Sequence, residues 1–335
     1  MINLTLLSPW LRRFLMEHLL SERNLSINTQ SSYRDTFCFL LPFLARDAKK
    51  SVDHLLVEDV SAERLKRFLS HLEEDRHCGI STRNQRLAAV RSLAHFIGQN
   101  SPEHLQWCGQ IRAVPFKKAP RSTITYLEKV EMDALLEAAN GVALQQRRDH
   151  ALLLFLYNTG ARADEVAQVI ITDLEIAYAP KRDLSSVRIR GKGNKLRRCP
   201  LWPQTINAIV PLIQGRSPSE HLFLNRCGQP ITRFGIHTLV ERTVKKAIAH
   251  VPSLKTKRVS PHTLRHTAAT HLLRAGVDIN TIRAWLGHVS INTTNIYAEV
   301  DLEMKAKALA LCDVQKTKAK HWRNNPDLMN FLRAL

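Results

Sequence analysis

The chain has 335 residues, 44% of them hydrophobic and 24% charged, a composition that excludes wholesale disorder and is long enough for two ordinary domains. Forty-nine Lys and Arg against 30 Asp and Glu leave a formal net charge of +19 and a pI near 10.0, so the expected partner is a polyanion, nucleic acid before all others. Apolar runs fall short of the roughly 20 residues that span a bilayer, arginines interrupt the N-terminal apolar segment where a secretory signal would continue, and no basic amphipathic anchor is evident; a soluble, cytoplasmic chain without a membrane partner is expected.

In chain order, the first hundred or so residues read as helices separated by short polar turns. One covers 9–20, and a second starts at Asn28 or Thr29 and carries Tyr33, Phe37, Leu40 and Leu41. Ser61 reads as the N-cap of a third over 63–74, with Glu63 at the position a capping box favours and Leu65, Phe68, Leu69 and Leu72 on one face. Ser81 opens a fourth, in which Leu87, Val90, Leu93 and Phe96 pack inward. Its side chains Arg83, Asn84 and Arg86 are read as exposed, either contacting phosphates or bases or forming an ordinary solvated face. Between 111 and 126 the periodicity stops, and two prolines stand among basic residues that include Lys117 and Lys118; an interdomain linker is placed at 113–125.

Beyond the linker, helices are expected over 128–139 and 144–157, then a turn at Thr159-Gly160 and another short helix. Strands over 186–190 and 196–201 flank Gly191-Lys-Gly-Asn-Lys195 as a β-hairpin, and helices follow over 233–250, 262–275, 278–286 and 291–297. The fold class is mainly α with a small β-sheet or hairpin. The six cysteines, at 38, 78, 108, 199, 227 and 312, form no C-x-x-C pair, which argues against a structural zinc site and a disulfide framework.

Chemistry-bearing residues concentrate at 260–300. His262, Arg265 and His266 stand at i, i+3 and i+4, so two imidazoles and a guanidinium share one helix face directly after Pro261. Cations in a first helical turn oppose the macrodipole, whereas an anionic phosphate would meet both those side chains and the helix N-terminus. Upstream, Tyr157-Asn-Thr-Gly160-Ala-Arg162 breaks a buried-looking helix at glycine and presents an arginine whose planar fork can hold two phosphate oxygens, with Glu165 placed to orient it. Lys192, at the hairpin tip, is a flexible cation able to reach a groove or a leaving oxygen. The loop lacks the G-x-x-x-x-G-K-[ST] spacing of a nucleotide-binding loop. His262, His266, His271 and His288 offer a rival reading as zinc ligands, but no H-E-x-x-H arrangement is present and Arg265 would repel a cation; no metal and no other cofactor is expected.

Together, Thr-Gly-x-Arg at 159–162, Gly-Lys-Gly-x-Lys at 191–195, His-x-x-Arg-His at 262–266, Leu-Gly-His at 286–288 and Tyr297 nine residues later resemble the tyrosine recombinase, or phage integrase, family, nearest its Xer-like branch. The resemblance is dense over 152–300 and weaker over 1–112. It implies an N-terminal helical core-binding (SAM-like) domain clamping DNA at 1–112, a C-terminal α+β catalytic domain at 126–312, and a tail at 313–335 available for contact between protomers. It makes Tyr297 the nucleophile, Arg162 and Arg265 the phosphate-gripping arginines, Lys192 the hairpin lysine, and His262 and His288 the groups for proton transfer or phosphate hydrogen bonding. His266 falls on a neighbouring position of less defined role. Ala161 and Ala163-Asp164 depart from the commoner residues without touching a catalytic position.

The groups fit that chemistry. A phenol of pKa about 10 needs a base or a cationic neighbourhood to attack phosphorus at neutral pH, and two arginines and a lysine supply one. The same charges stabilise a pentacoordinate transition state without a metal, while Lys192 or a histidine protonates the leaving 5′-oxygen. The resemblance implies a site-specific recombinase or integrase that works through a covalent 3′-phosphotyrosyl intermediate without ATP. Its partners would be double-stranded DNA at the nucleoid and further protomers, as a tetramer on two sites or with a related recombinase. High charge and the long tail tilt the expectation toward a mobile element. A type IB topoisomerase-like relaxation enzyme and a non-cutting DNA-binding accessory protein remain as alternatives. In the tail, Leu328, Phe331, Leu332 and Leu335 form an apolar stripe that would dock on a neighbouring protomer or fold back on its own domain.

Overall fold

The computed structural model describes residues 5–119, 124–177 and 184–287, apart from the side chain of Lys192. His288, Tyr297, the expected helix over 291–297 and the tail over 313–335 lie outside the described residues. The chain divides between 122 and 123 into two compact units.

The first unit is helical. Helix α1 (Leu7–Arg13) runs on as π-helical turns over Phe14–Glu22, followed by α2 (Ile27–Ala48), α3 (Ala62–Glu74), α4 (Ile80–Asn100) and α5 (Leu105–Ala113). Ser26 and Ser61 each cap a helix by accepting a backbone N–H three residues on, from Thr29 and Arg64. Trp10, Phe14, Leu40, Phe68 and Leu87 are almost wholly buried in one core, each worth roughly 1.5–3 kcal/mol of transfer free energy.

Two expectations are corrected here. Glu63 occupies the second position of α3, and the third, where a capping box needs its carboxylate, is Arg64. Arg64 binds Asp47 (2.8 Å) and Asp59 (3.0 Å) instead. Nor are Arg83, Asn84 and Arg86 exposed: all three are half-buried. Arg83 donates to the Pro115 carbonyl at 3.1 Å, and Asn84 both donates to the Lys117 carbonyl (2.7 Å) and accepts from its N–H (3.0 Å). Arg86 donates to Ser32 O and Thr36 Oγ1 on α2. Position 83 lies one turn before Leu87, and position 86 one turn before Val90, so both flank the inward stripe.

The second unit packs helices around a small sheet: α6 (Lys129–Ala139), α7 (Leu144–Thr159), α8 (Ala163–Gln168), β1 (Leu174–Glu175), β2 (Ser186–Arg190), β3 (Leu196–Pro200), α9 (Pro203–Ile213), α10 (Arg233–Ala247), α11 (Pro261–Arg274) and α12 (Ile279–Leu286). The strands pair antiparallel in the order β1-β2-β3, with Val187 opposite Cys199 and Ile189 opposite Arg197. Helix α7 is buried on every side from Ala151 to Thr159, as expected of a central helix without a polar face. It stops at Gly160, whose φ of +58° favours glycine. A Cβ there would fall 2.5 Å from Leu286 Cδ2, so glycine also allows the end of α12 to close on the end of α7. Buried Asn158 fastens the surroundings: it accepts from Trp202 N–H and Thr205 Oγ1 and donates to the Pro200 carbonyl, while its own carbonyl accepts from Trp285 Nε1.

Candidate active site

Helix α11 begins with Ser260 as N-cap, reciprocally bonded to Thr263, and Pro261 in the first turn. That start orients His262, Arg265 and His266. Arg265 is 1% exposed and donates from Nη1 to the Gly160 carbonyl and from Nη2 to the Leu286 carbonyl, both at 2.7 Å. Those carbonyls end α7 and α12, where the macrodipoles favour a cation. One guanidinium on α11 thus fixes the ends of two other helices.

Arg162 is the N-cap of α8 and Glu165 its third residue. Glu165 accepts from the Arg162 N–H (2.9 Å) and from its Nη1 (2.7 Å), which aims the half-exposed guanidinium. The carboxylate is itself buried and also binds Nη2 of Arg197 on β3 at 2.6 Å. Burial alone would push the Glu165 carboxyl up, but the bond and charge of Arg197, reinforced by Arg162, outweigh it and hold the group below the usual carboxylate range.

His262 and His266 meet edge to face, ring centroids 4.4 Å apart. Burial, then the charges of Arg265 and Arg162, lowers His262. Burial, then His262 and Arg265, pushes His266 down to about 4. Both imidazoles are therefore neutral at pH 7, the form in which a ring nitrogen can take a proton. The bond from Arg265 to the Gly160 carbonyl, two residues before Arg162, joins the two distant stretches of chain that carry Arg162 and the pair His262 and Arg265.

Lys192 opens the turn Lys192–Asn194 between β2 and β3, closed by the Gly191 N–H on the Lys195 carbonyl at 2.8 Å. Gly287, the left-handed C-cap of α12, is the residue before His288. In the first unit, Lys117 and Lys118 are exposed, and Lys117 Nζ pairs with Glu73 at 2.9 Å. Among the described residues no group of three or more His, Cys, Asp or Glu is placed to hold a metal ion, and no helix is long and apolar enough to cross a membrane.

Sequence reasoning missed Arg197. The signal was available: in β3, positions 197 and 199 point the same way and Cys199 is buried, so period-two alternation puts a charged residue inside. Asn158 and Trp285 were missed as well, because their bonds join segments far apart in sequence.

Residues 125–304 match the phage integrase family, and residues 11–99 match its N-terminal SAM-like domain. An integrase/recombinase of Sinorhizobium fredii is 35% identical over 331 residues, covering 98% of each chain. Tyrosine recombinase XerC of Pelobacter propionicus is 32% identical over 296 residues, 85% of this chain and 89% of that one. Among solved structures, the Tn1549 transposon integrase in complex with transposon right-end DNA superposes with a TM-score of 0.67 at 19% identity, covering 89% of this chain and 98% of that one. The XerH site-specific recombinase bound to its difH substrate gives 0.64 at 22% identity, over 87% and 81%. At those identities the structures establish a shared fold. The sequence matches, spanning both units, establish more: the chain belongs to the phage integrase family and is a tyrosine-type site-specific DNA recombinase.

Proposed function

We propose that residues 126–312 form the catalytic domain and break and rejoin DNA by transesterification, with Tyr297 as nucleophile. Arg162 is the fork that reaches the phosphate and Arg265 the braced charge behind it. His262 and His288 handle protons or hydrogen-bond the phosphate, His266 supports His262, and Lys192 or a histidine protonates the 5′-oxygen. Attack leaves a 3′-phosphotyrosyl ester that keeps the bond energy, so a 5′-hydroxyl of a second duplex can reverse the step without ATP. The observation that carries this reading is the bond of Arg265 to the Gly160 carbonyl, two residues before Arg162, which brings the α11 residues His262 and Arg265 to the guanidinium that the buried Glu165 carboxylate aims. A field of fixed cations is what a pentacoordinate phosphorus transition state needs.

Residues 1–112 are assigned to clamping the duplex at the nucleoid. Exposed Lys117 and Lys118, just beyond this domain, carry the direct phosphate contacts in this reading, while Arg83 and Asn84 brace the segment that presents them and Arg86 ties α4 to α2. Segment 113–125 links the two domains, and the tail over 313–335, with its apolar stripe, is assigned to contact between protomers of a tetramer on two DNA sites. A mobile element is the favoured setting, in keeping with the transposon integrase among the structural relatives.

The test is incubation with DNA carrying the sequences that flank its gene, trapping of covalent adducts and mapping of the joined nucleotide. Wild-type protein is expected on a 3′ end, and Tyr297→Phe should leave none. Supercoil relaxation without recombinant products would instead mark a topoisomerase-like enzyme.

A further inference from the structure

We propose that Arg197 is a positioning residue of this site. From its place on β3 it fixes Glu165, and through Glu165 the guanidinium of Arg162, against the backbone points from which Lys192 and His288 depart. The inference rests on the reading of Arg162 as the phosphate fork.

The geometry centres on one side chain. Arg197 is 9% exposed and its Nη2 binds Glu165 Oε2 at 2.6 Å, while Oε1 of the same carboxylate holds Arg162 Nη1 at 2.7 Å. Two glycines pack onto it. A Cβ built on Gly191 would lie 3.3 Å from Glu165 Oε1 and 3.4 Å from Arg197 Nη1, and one built on Gly287 would lie 3.2 Å from Arg197 Cδ and Nη1. Gly191 precedes Lys192, and Gly287 precedes His288. One buried guanidinium therefore abuts the carboxylate that aims Arg162 and the backbone beside two further candidate groups.

Stability alone does not account for it. A buried ion pair gains little over apolar residues of similar volume, because desolvation consumes much of the attraction. Here two guanidiniums share one carboxylate, and Nε of Arg197 is buried with no partner among the described residues. Such a cluster suits a site where a second anion is to be received. Arg197 is too enclosed to be the receiving group, but its charge keeps Glu165 ionised, and the ionised carboxylate accepts on both oxygens with no proton of its own set against the facing donors.

A pH signature follows. Glu165 is faced by Arg162 on its own turn, by Arg197 and the Cys199 thiol on β3, and by Asp173, Arg188 and Arg190 around the adjoining cavity. Arg197 is the strongest of the influences that favour its charged form. Without that charge the Glu165 pKa rises, and the carboxylate protonates at a higher pH than in the wild type.

The experiment compares Arg197→Met, Arg197→Gln, Arg197→Lys and Tyr297→Phe in the full chain, on the duplex mapped by adduct trapping. It reads single-turnover adduct formation at saturating protein, DNA affinity by mobility shift, and the pH dependence of the rate. Expected for Arg197→Met is a fall in rate of about 10²-fold, the scale of a misplacement near 1 Å, with DNA affinity little changed. The acid limb should move to higher pH in Arg197→Met and Arg197→Gln and return toward wild type in Arg197→Lys. If circular dichroism shows Arg197→Met unfolded, Arg197→Gln, which keeps a donor and loses the charge, decides in the same way. A wild-type rate and pH profile in the neutral variants, or equal losses of rate and affinity, overturns the inference. Adducts persisting in Tyr297→Phe would instead overturn the underlying reading, so the two failures are distinct.

Discussion

Ionic clusters in the two units are built to opposite rules. In the first, Lys50, Arg64 and Arg67 are matched by Asp47, Asp59 and Glu63, with bonds of 2.8–3.0 Å between α2, α3 and the intervening turn. In the second, Arg162 and Arg197 share the single carboxylate of Glu165, and Arg265 is braced by main-chain carbonyls at helix ends. The matched cluster fastens elements together. The cation-rich one holds positive charge still in a place that burial makes costly, and proteins keep such arrangements where an anion is to be stabilised. Around the buried carboxylate itself the two clusters look alike, since Asp59 and Glu165 each bind two cations; what differs is the count over the whole cluster, three cations to three carboxylates in the first against three to one in the second, where Arg265 rests on carbonyls.

The largest effect that sharpens this contrast is expected from Arg162→Ala. Removing one donor aimed at developing charge typically costs on the order of 10²–10³ in rate, so single-turnover cleavage should fall by that factor while the thermal midpoint barely moves. A stability loss without a rate loss would place Arg162 among the fastening residues instead. Next comes Gly160→Ala, which forces a left-handed φ on a residue with a Cβ and drives that Cβ into Leu286. Unfolding in urea should show a loss of about 1–3 kcal/mol, and cleavage should slow because the carbonyl that braces Arg265 shifts.

On the other side of the contrast, Arg64→Ala removes a partly buried partner of Asp47 and Asp59 and should cost about 1 kcal/mol in the same assay. Cleavage per folded molecule should not change; a rate loss like that of Arg162→Ala would erase the distinction. The smallest signal is a slope. Since burial, then His262 and the charge of Arg265, take His266 from an ordinary 6.5 to about 4, the unfolded chain protonates there first, and stability drains as pH falls through that window. His266→Gln should flatten the fall between pH 6.5 and 4, and an unchanged slope would show that His266 does not titrate there.

Much of this is legible in the sequence. The 3.6-residue spacing of Leu65, Phe68, Leu69 and Leu72 marked α3, the Gly160 break marked the end of α7, and the glycine-rich loop between alternating segments marked the β2–β3 hairpin. What escaped depends on tertiary partners. Strand β1 is two residues long and exists only by pairing with β2, and α9 is disguised by Pro203 and Pro211. Within the site, Arg162, His262 and Arg265 were named from their motifs, but nothing in one dimension showed that Glu165 would be shared with a strand arginine 32 residues away. Arg83 and Arg86 were misplaced for a related reason. Helical periodicity gives a face, while the segment that covers its edge, here 115–117 and the start of α2, comes from elsewhere.

The most direct test of the central claim, that fixed cations drive Tyr297 by neutralising charge on the phosphate oxygens, alters the DNA and not the protein. Replace one charged non-bridging oxygen at the mapped phosphate by a methyl group and measure adduct formation by wild-type protein, Arg162→Ala and Tyr297→Phe. The account predicts that the neutral linkage restores much of the Arg162→Ala rate, because the missing guanidinium has less charge to meet, and restores nothing to Tyr297→Phe. An Arg162→Ala enzyme as impaired on the neutral linkage as on the charged one would contradict it.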